Sequence, residues 1–259
     1  MPFSFIPFKL IDMNSKITIV ILAAGLGTRM KSNKAKVLHE ICGKPMVHYV
    51  VETAQKIAGD NVILVVGHQA DAVRRTVSKQ GTFHFAHQKE QLGTGHAVLC
   101  ALPHIPDSCR HVMILCGDVP LIQAQTLKTL VRIHLAEKSE ITVLAVELAD
   151  PTGYGRIVLD ADGGLQAIVE EADASVAQKR IRLINTGIFC VQKEFLAEAV
   201  LQIKSDNAQG EMYLTDIVEI AYVGQKPMGV VTGNDPVEIT GINTIEELKS
   251  VEFAMKNRS

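Results

Sequence analysis

Neither sign of charge is in surplus in this sequence. Its 26 Lys and Arg against 28 Asp and Glu leave a formal net charge of −2, so there is no general pull toward nucleic acid or an anionic membrane surface. No apolar run reaches the ~20 residues that a spanning helix needs, and no membrane segment is expected. The opening stretch from Met1 to Ile11 is apolar, but it lacks a basic start and a small-residue cleavage site, and Pro2 and Pro7 interrupt it. That argues against a signal peptide. The five cysteines, Cys42, Cys100, Cys109, Cys116 and Cys190, are odd in number and form no C-x-x-C pair. Neither a disulfide framework nor a zinc cage is implied, and buried thiols in a reducing, cytoplasmic setting are expected. There is no linker, low-complexity tract or internal repeat. What is present is an apolar content of 47% with 21% charged residues, ample for a large core and incompatible with intrinsic disorder.

Ile17–Ala23 is a continuous apolar run rich in β-branched residues, as expected of a parallel strand buried on both faces. Apolar residues then recur at near-helical spacing from Met46 to Ile57, with Pro45 suited to the first helical position. Further strands are read at 62–66, 83–86, 112–116 and 184–191, and helices at 71–78, 94–102 and 195–203. Strands alternating with helices predict an α/β, Rossmann-like, mostly parallel mixed sheet with helices on both faces. Gly155–Leu159, the turn Asp162-Gly163-Gly164 and Leu165–Val169 read as a β-hairpin. The tail from Ile245 to Lys256 reads as an amphipathic helix. The expected organisation is an extended or disordered segment over 1–14 (with Met13 an alternative start), a main α/β domain over 15–244 and a C-terminal helix over 245–259.

Leu22-Ala23-Ala24-Gly25-Leu26-Gly27-Thr28-Arg29-Met30 follows the first buried strand, where open α/β sheets bind ligands. Glycines there let backbone N–H groups approach phosphate closely. Two familiar motifs fail at the same residue: Met30 stands where both the dinucleotide fingerprint and the P-loop require glycine. What remains is a glycine loop carrying Arg29, with Lys36 seven residues on, against the plainer reading of an ordinary turn with solvated cations.

The loop and Lys36-Val37-Leu38 together resemble the signature of the nucleotide-diphosphate-sugar pyrophosphorylases. Collinear matches follow: Gln88, Gln91-Leu92-Gly93-Thr94-Gly95, Gly117-Asp118-Val119-Pro120-Leu121, Gly153-Tyr154-Gly155-Arg156-Ile157, Glu170, Asn185-Thr186-Gly187, Asn207 to Asp216, and Gly241-Ile242-Asn243. The set is similar to the uridyltransferase domain of the bifunctional N-acetylglucosamine-1-phosphate uridyltransferase/glucosamine-1-phosphate acetyltransferases. It covers the chain from about Lys16 to Asn243.

The resemblance implies a GT-A-like nucleotide-diphospho-sugar transferase fold and transfer of uridylyl from UTP to N-acetylglucosamine 1-phosphate, giving UDP-N-acetylglucosamine and pyrophosphate. It places Arg29 and Lys36 on the reacting phosphates and makes Asp118 and Asn243 the Mg²⁺ ligands. The backbone of Leu22, Ala23, Ala24 and Gly25, with Gln88, Gly93 and Thr94, would hold the nucleotide. Gly117, Gly155, Glu170, Asn185 and Asn243 would line the sugar, with Tyr213 and Thr215 as further candidates for its acetamido side. Without the resemblance, Asp118 is a turn or cap residue, Gln88 a surface glutamine and Glu170 a solvated charge. Relatives often carry lysine where Leu26 stands. Asp160-Ala161-Asp162 matches the D-x-D metal motif of glycosyltransferases but precedes two glycines and reads as a turn. His84, His87 and His96 lack zinc-site spacing, and Lys44-Pro45 reads as a turn with a solvated lysine.

No hexapeptide repeat of the acetyltransferase β-helix follows Asn243, so neither acetyl transfer nor trimerisation is expected. Two other readings stay open: the same chemistry on another sugar 1-phosphate, such as another hexosamine or an N-acetylmuramic acid phosphate, or a non-catalytic subunit that binds sugar nucleotides. Partners are then UTP and the sugar phosphate, with no nucleic acid and no membrane.

Overall fold

A computed structural model describes residues 17–239 and 241–257. The 1–14 segment, Met13 and the last two residues of the tail lie outside the described residues. The first half comprises β1 (Ile17–Ala23), β2 (Glu40–Ile41), β3 (Lys44–Pro45), α1 (Met46–Ala58), β4 (Val62–Val66), α2 (Ala70–Val77), β5 (His84–His87), α3 (Thr94–Ala101) and β6 (His111–Cys116). After these come α4 (Ala124–Ala136), β7 (Ile141–Glu147), β8 (Arg156–Leu159), β9 (Leu165–Val169), β10 (Leu183–Gln192) and α5 (Lys193–Ala199). The chain then forms α6 (Asp216–Val223), β11 (Met228–Thr232), α7 (Pro236–Ile239) and α8 (Ile245–Asn257).

Among the described residues the main sheet has nine strands, ordered β11-β7-β10-β6-β1-β4-β5, with the β8–β9 hairpin attached through β10. The pairs β1–β4, β1–β6, β4–β5 and β7–β11 are parallel, while β10 runs antiparallel to both neighbours. Alternation along β1 explains the two layers. Ile17, Ile19 and Ile21 pack into one core with α1, α2 and α4, and Val20 and Ala24 into a second with α3, α5 and α6. A buried strand with helices on both sides has no polar face, hence the unbroken apolar run. A third, smaller cluster gathers Ile41, Met46, Ile242 and Val251, so α8 docks on the β2–β3 ribbon.

Several boundaries differ from the sequence reading. Pro45 closes β3 and precedes α1 instead of opening it. The 94–102 and 195–203 helices end at Ala101 and Ala199 and tighten into 3₁₀ turns at Leu102–His104 and Val200–Gln202; Pro103, lacking an N–H, ends the first. Lys44 does sit beside a turn, but it is not simply solvated: its Nζ lies 2.5 Å from Glu52 Oε2 and 4.4 Å from the centre of the Tyr49 ring. Asp160-Ala161-Asp162 is the hairpin turn, with Asp160 Oδ1 accepting from the N–H groups of Asp162 (3.0 Å) and Gly164 (2.8 Å).

Candidate active site

From β1 the chain builds outward on one side through β4 and β5, then crosses back to place β6 on the other. The carboxyl ends of β1 and β6 therefore flank a topological switch point, where open α/β sheets leave a crevice. Both glycine motifs fall there, at Gly25 and Gly117. The β6 end is held to β1 by the Gly117 N–H on Leu22 O at 2.9 Å. A Cβ on Gly117 would meet Leu22 O at 3.0 Å and Val37 Cγ1 at 3.2 Å, so the room left by its missing side chain is taken by neighbouring protein. A Cβ on Gly25 would meet nothing within 4 Å. The fold itself makes no demand for glycine at that exposed position.

Met30 is 1% exposed. It anchors the loop through a 3₁₀ turn over Thr28–Met30, which accounts for a large apolar residue where a P-loop has glycine. Gly27 has φ +65°, and a Cβ there would stand 2.6 Å from Lys36 Cβ, so the loop and the Lys36 turn touch because residue 27 has no side chain. Val37 and Leu38 are buried beneath and turn Lys36 toward the crevice.

Residues far apart in the chain meet at this point. Lys36 Nζ donates to Asp118 Oδ2, and at 2.9 Å to Asn243 Oδ1. Arg29 Nη2 donates to the same Asn243 oxygen at 2.8 Å. Asp118 and Asn243 are also linked through the backbone, the Ile242 N–H reaching Asp118 O at 2.9 Å. Since both side-chain oxygens reach one ammonium, they stand close enough to share one cation. No group of three or more His, Cys, Asp or Glu suited to a metal occurs among the described residues. A carboxylate plus an amide oxygen, completed by water and phosphate, matches how Mg²⁺ is usually held, so the donor set fits.

A cavity of about 440 Å³ opens beside this cluster. All seven residues assigned to the nucleotide line it, Leu22, Ala23, Ala24, Gly25, Gln88, Gly93 and Thr94, together with Lys36 and Asp118. Gln88 is buried, its Nε2 donating to Gly93 O at 2.9 Å and lying 3.2 Å from His96 Nδ1. Gly93 has φ +107°, and a Cβ there would lie 2.5 Å from Met212 O. That close approach lets the 207–214 segment lock on, through Gly95 N–H to Met212 O at 2.7 Å and Met212 N–H to Leu92 O at 2.8 Å. Thr94 Oγ1 already accepts from Leu214 N–H at 2.9 Å, leaving its O–H to donate.

The sugar candidates Gly155, Glu170 and Asn185 form a separate group that does not line the cavity. Asn185 N–H donates to Gly155 O at 2.8 Å, and Thr215 Oγ1 donates to Glu170 Oε1 at 3.1 Å. A Cβ on Gly155 would lie 3.2 Å from Glu170 Oε2. A register shift between Asn185 and Ile188 bends β10 at this point. Cys116 joins the two groups, lining the cavity while its Sγ faces Gly187 O at 3.6 Å. Burial, then the Asp118 charge, pushes its thiol up to about 12, so it stays protonated. Burial likewise raises the Glu170 carboxyl above its ordinary range.

Sequence reasoning missed some residues. Leu26, Val37, Gln91, Ala97, Cys116 and Glu211 also line the cavity. Arg156, 1% exposed, donates to Glu171 Oε2 at 2.7 Å and to Tyr154 O, tying the 150–155 loop to the end of β9. Its signal was present, since a charge inside an apolar strand is buried only when paired. Of the three discounted histidines, His84 and His87 are exposed on β5 and His96 packs against Gln88.

Residues 19–184 match the family of MobA-like NTP transferase domains. The chain belongs to that family. It is 48% identical over 245 residues to the bifunctional protein GlmU of Geotalea uraniireducens, a match covering 94% of this chain and 53% of the relative. The GlmU of Desulfotalea psychrophila is 43% identical over 242 residues, with 93% and 71% covered. The chain thus spans about half the length of the first of these relatives. HddC from Yersinia pseudotuberculosis, solved with GMP-PN, superposes with a TM-score of 0.67 at 22% identity, covering 92% of this chain and 99% of HddC. At that identity the likeness concerns the α/β fold alone. Among the described residues no helix is long and apolar enough to cross a membrane.

Proposed function

We propose that this chain transfers the uridylyl group of UTP to N-acetylglucosamine 1-phosphate, yielding UDP-N-acetylglucosamine and pyrophosphate in a Mg²⁺-dependent reaction. The observation that carries the reading is the meeting of Arg29, Lys36, Asp118 and Asn243 at the mouth of the crevice between β1 and β6. The attacking sugar phosphate is already anionic, because the second pKa of a phosphate monoester is about 6. Its oxygen forms a bond to the α-phosphorus of UTP as the bond from that phosphorus to the bridging α–β oxygen breaks, and pyrophosphate leaves with the electron pair. No general base is needed. Catalysis is positioning and charge neutralisation.

In this reading Arg29 neutralises the triphosphate, and Lys36 stands between it and the incoming phosphate. Mg²⁺, when bound by Asp118 and Asn243, would supply further charge compensation on the phosphates. The cavity walls at Gln88, Gly93 and Thr94 take the uracil, while Glu170 and Asn185 accept and donate at the sugar hydroxyls. The sites of UTP supply and of cell-envelope precursor synthesis put the protein in the cytoplasm on this reading.

Pyrophosphate release with UTP, Mg²⁺ and a panel of sugar 1-phosphates is the test. Release with N-acetylglucosamine 1-phosphate supports the reading. Release with a different sugar alone moves it to that sugar, and no release from folded protein leaves only nucleotide-sugar binding.

A further inference from the structure

Asn243 is held from two directions. Its side-chain oxygen faces Arg29 and Lys36, whereas its backbone is fixed from the far side by α8. Thr244 and Glu247 form a capping box at the start of that helix. Thr244 Oγ1 accepts from Glu247 N–H at 3.1 Å, and Glu247 Oε2 accepts in return from Thr244 N–H at 3.1 Å. The same carboxylate oxygen reaches one residue further and accepts from Asn243 N–H at 2.5 Å. An ordinary capping box stops at the cap residue; this one also grips the residue whose side chain enters the crevice.

The grip has a firm base. On one side of Asn243, Ile242 is wholly buried, and on the other Val251 and Leu248 seat α8 against the β2–β3 ribbon. Glu252 Oε1 adds a bond from Cys42 N–H at 3.1 Å. Glu247 also lies within electrostatic reach of the crevice: its charge and that of Asp118 help burial to raise the Tyr154 phenol, which Arg29 opposes.

We propose that Glu247 is a positioning residue for the transfer reaction, fixing through the Asn243 backbone where the Asn243 amide oxygen is presented to Arg29, Lys36 and the divalent ion. The inference rests on the function proposed above. Residues that orient metal ligands from outside typically change metal affinity by about 10–100-fold when removed. Glu247→Ala is therefore expected to raise the Mg²⁺ concentration for half-maximal rate by about tenfold, with a smaller effect on kcat at saturating Mg²⁺. Glu247→Gln keeps one oxygen acceptor and stays within about threefold of wild type, a single hydrogen bond's worth.

A Mn²⁺ titration followed by electron paramagnetic resonance, in the presence of UTP, reads the same loss without turnover. Glu252→Ala serves as the control: it weakens the docking of the same helix by loss of the Cys42 bond and also removes an ion pair within the helix, to Lys256 at 3.2 Å, but leaves the Glu247 contacts in place. The expected result is a weakened metal response in Glu247→Ala, its recovery in Glu247→Gln, and a wild-type response in Glu252→Ala. Equal metal responses in wild type and folded Glu247→Ala, or equal losses in Glu247→Ala and Glu252→Ala, overturn the proposal. A wild-type protein that releases no pyrophosphate with any sugar phosphate overturns the preceding reading instead, and the two failures are distinct.

Discussion

Lys36 and Asp118 stand 82 residues apart in the chain and share a direct ion pair, both largely buried. On the proposed function, such a contact holds the Lys36 cation ready where phosphate charge develops, without reorganisation at the moment of reaction. Truncating Lys36 or Arg29 to alanine is expected to lower turnover by about a hundredfold or more, in line with the loss of an oxyanion donor. Steady-state pyrophosphate release measures this. Asp118→Ala should abolish Mg²⁺-dependent turnover; unchanged activity removes it from the site. Met30 acts differently. Its side chain is anchored beneath the glycine loop, and Met30→Ala should cost about 2–5 kcal/mol of stability as a cavity forms. The denaturation midpoint reports that loss, and a raised KM for UTP reports the loosened loop.

Among the elements, α4 is stitched to the sheet by a buried polar chain. His111 Nδ1 on β6 lies 3.1 Å from His134 Nε2 on α4, and His134 Nδ1 lies 2.9 Å from Thr142 Oγ1 on β7. Burial, helped by His111, lowers His134 to about 4. A histidine whose folded pKa is depressed stabilises the fold fully above its unfolded value of 6.5, and that contribution is lost as pH falls toward 4. Asp216 at the start of α6 works in the opposite sense: burial raises it to about 6, so its contribution is present at low pH and fades as pH rises through that value. Urea unfolding between pH 4 and 6.5 should therefore show His134→Gln losing the acid-side fall. Asp216→Asn should steepen that fall. The elements legible in the sequence were those with unmixed signals, such as β1, β4 and the β8–β9 hairpin. α6 was not read as a helix, because Ile217, Val218, Ile220, Ala221, Tyr222 and Val223 leave it apolar all round, with no periodic face. β11 carries Gly229 within five residues and lies at the sheet edge, so its pattern is weak.

At the scale of the whole molecule, the crevice is made by topology. Its two floors come from β1 and β6, one wall from the loop before α3, and its far corner from the turn before α8. Spacing in the sequence says nothing about that convergence, which is why Asp118 and Asn243 were legible as a pair through family resemblance alone. A ligand spanning the crevice should stabilise the whole fold. UTP with Mg²⁺ at a hundredfold excess over its Kd should add about 2.7 kcal/mol to unfolding. Thermal melts of Asp118→Asn should retain the part due to UTP and lose the increment due to Mg²⁺.

Asn243 follows the last strand of the main sheet, which ends at Thr232. A chain still emerging from the ribosome can therefore assemble the nine described strands of that sheet while missing one corner of the proposed site. Folding and competence become separate events in its synthesis. On the proposed function, the nascent protein stays chemically silent until α8 has come out and closed its first turn around residue 243.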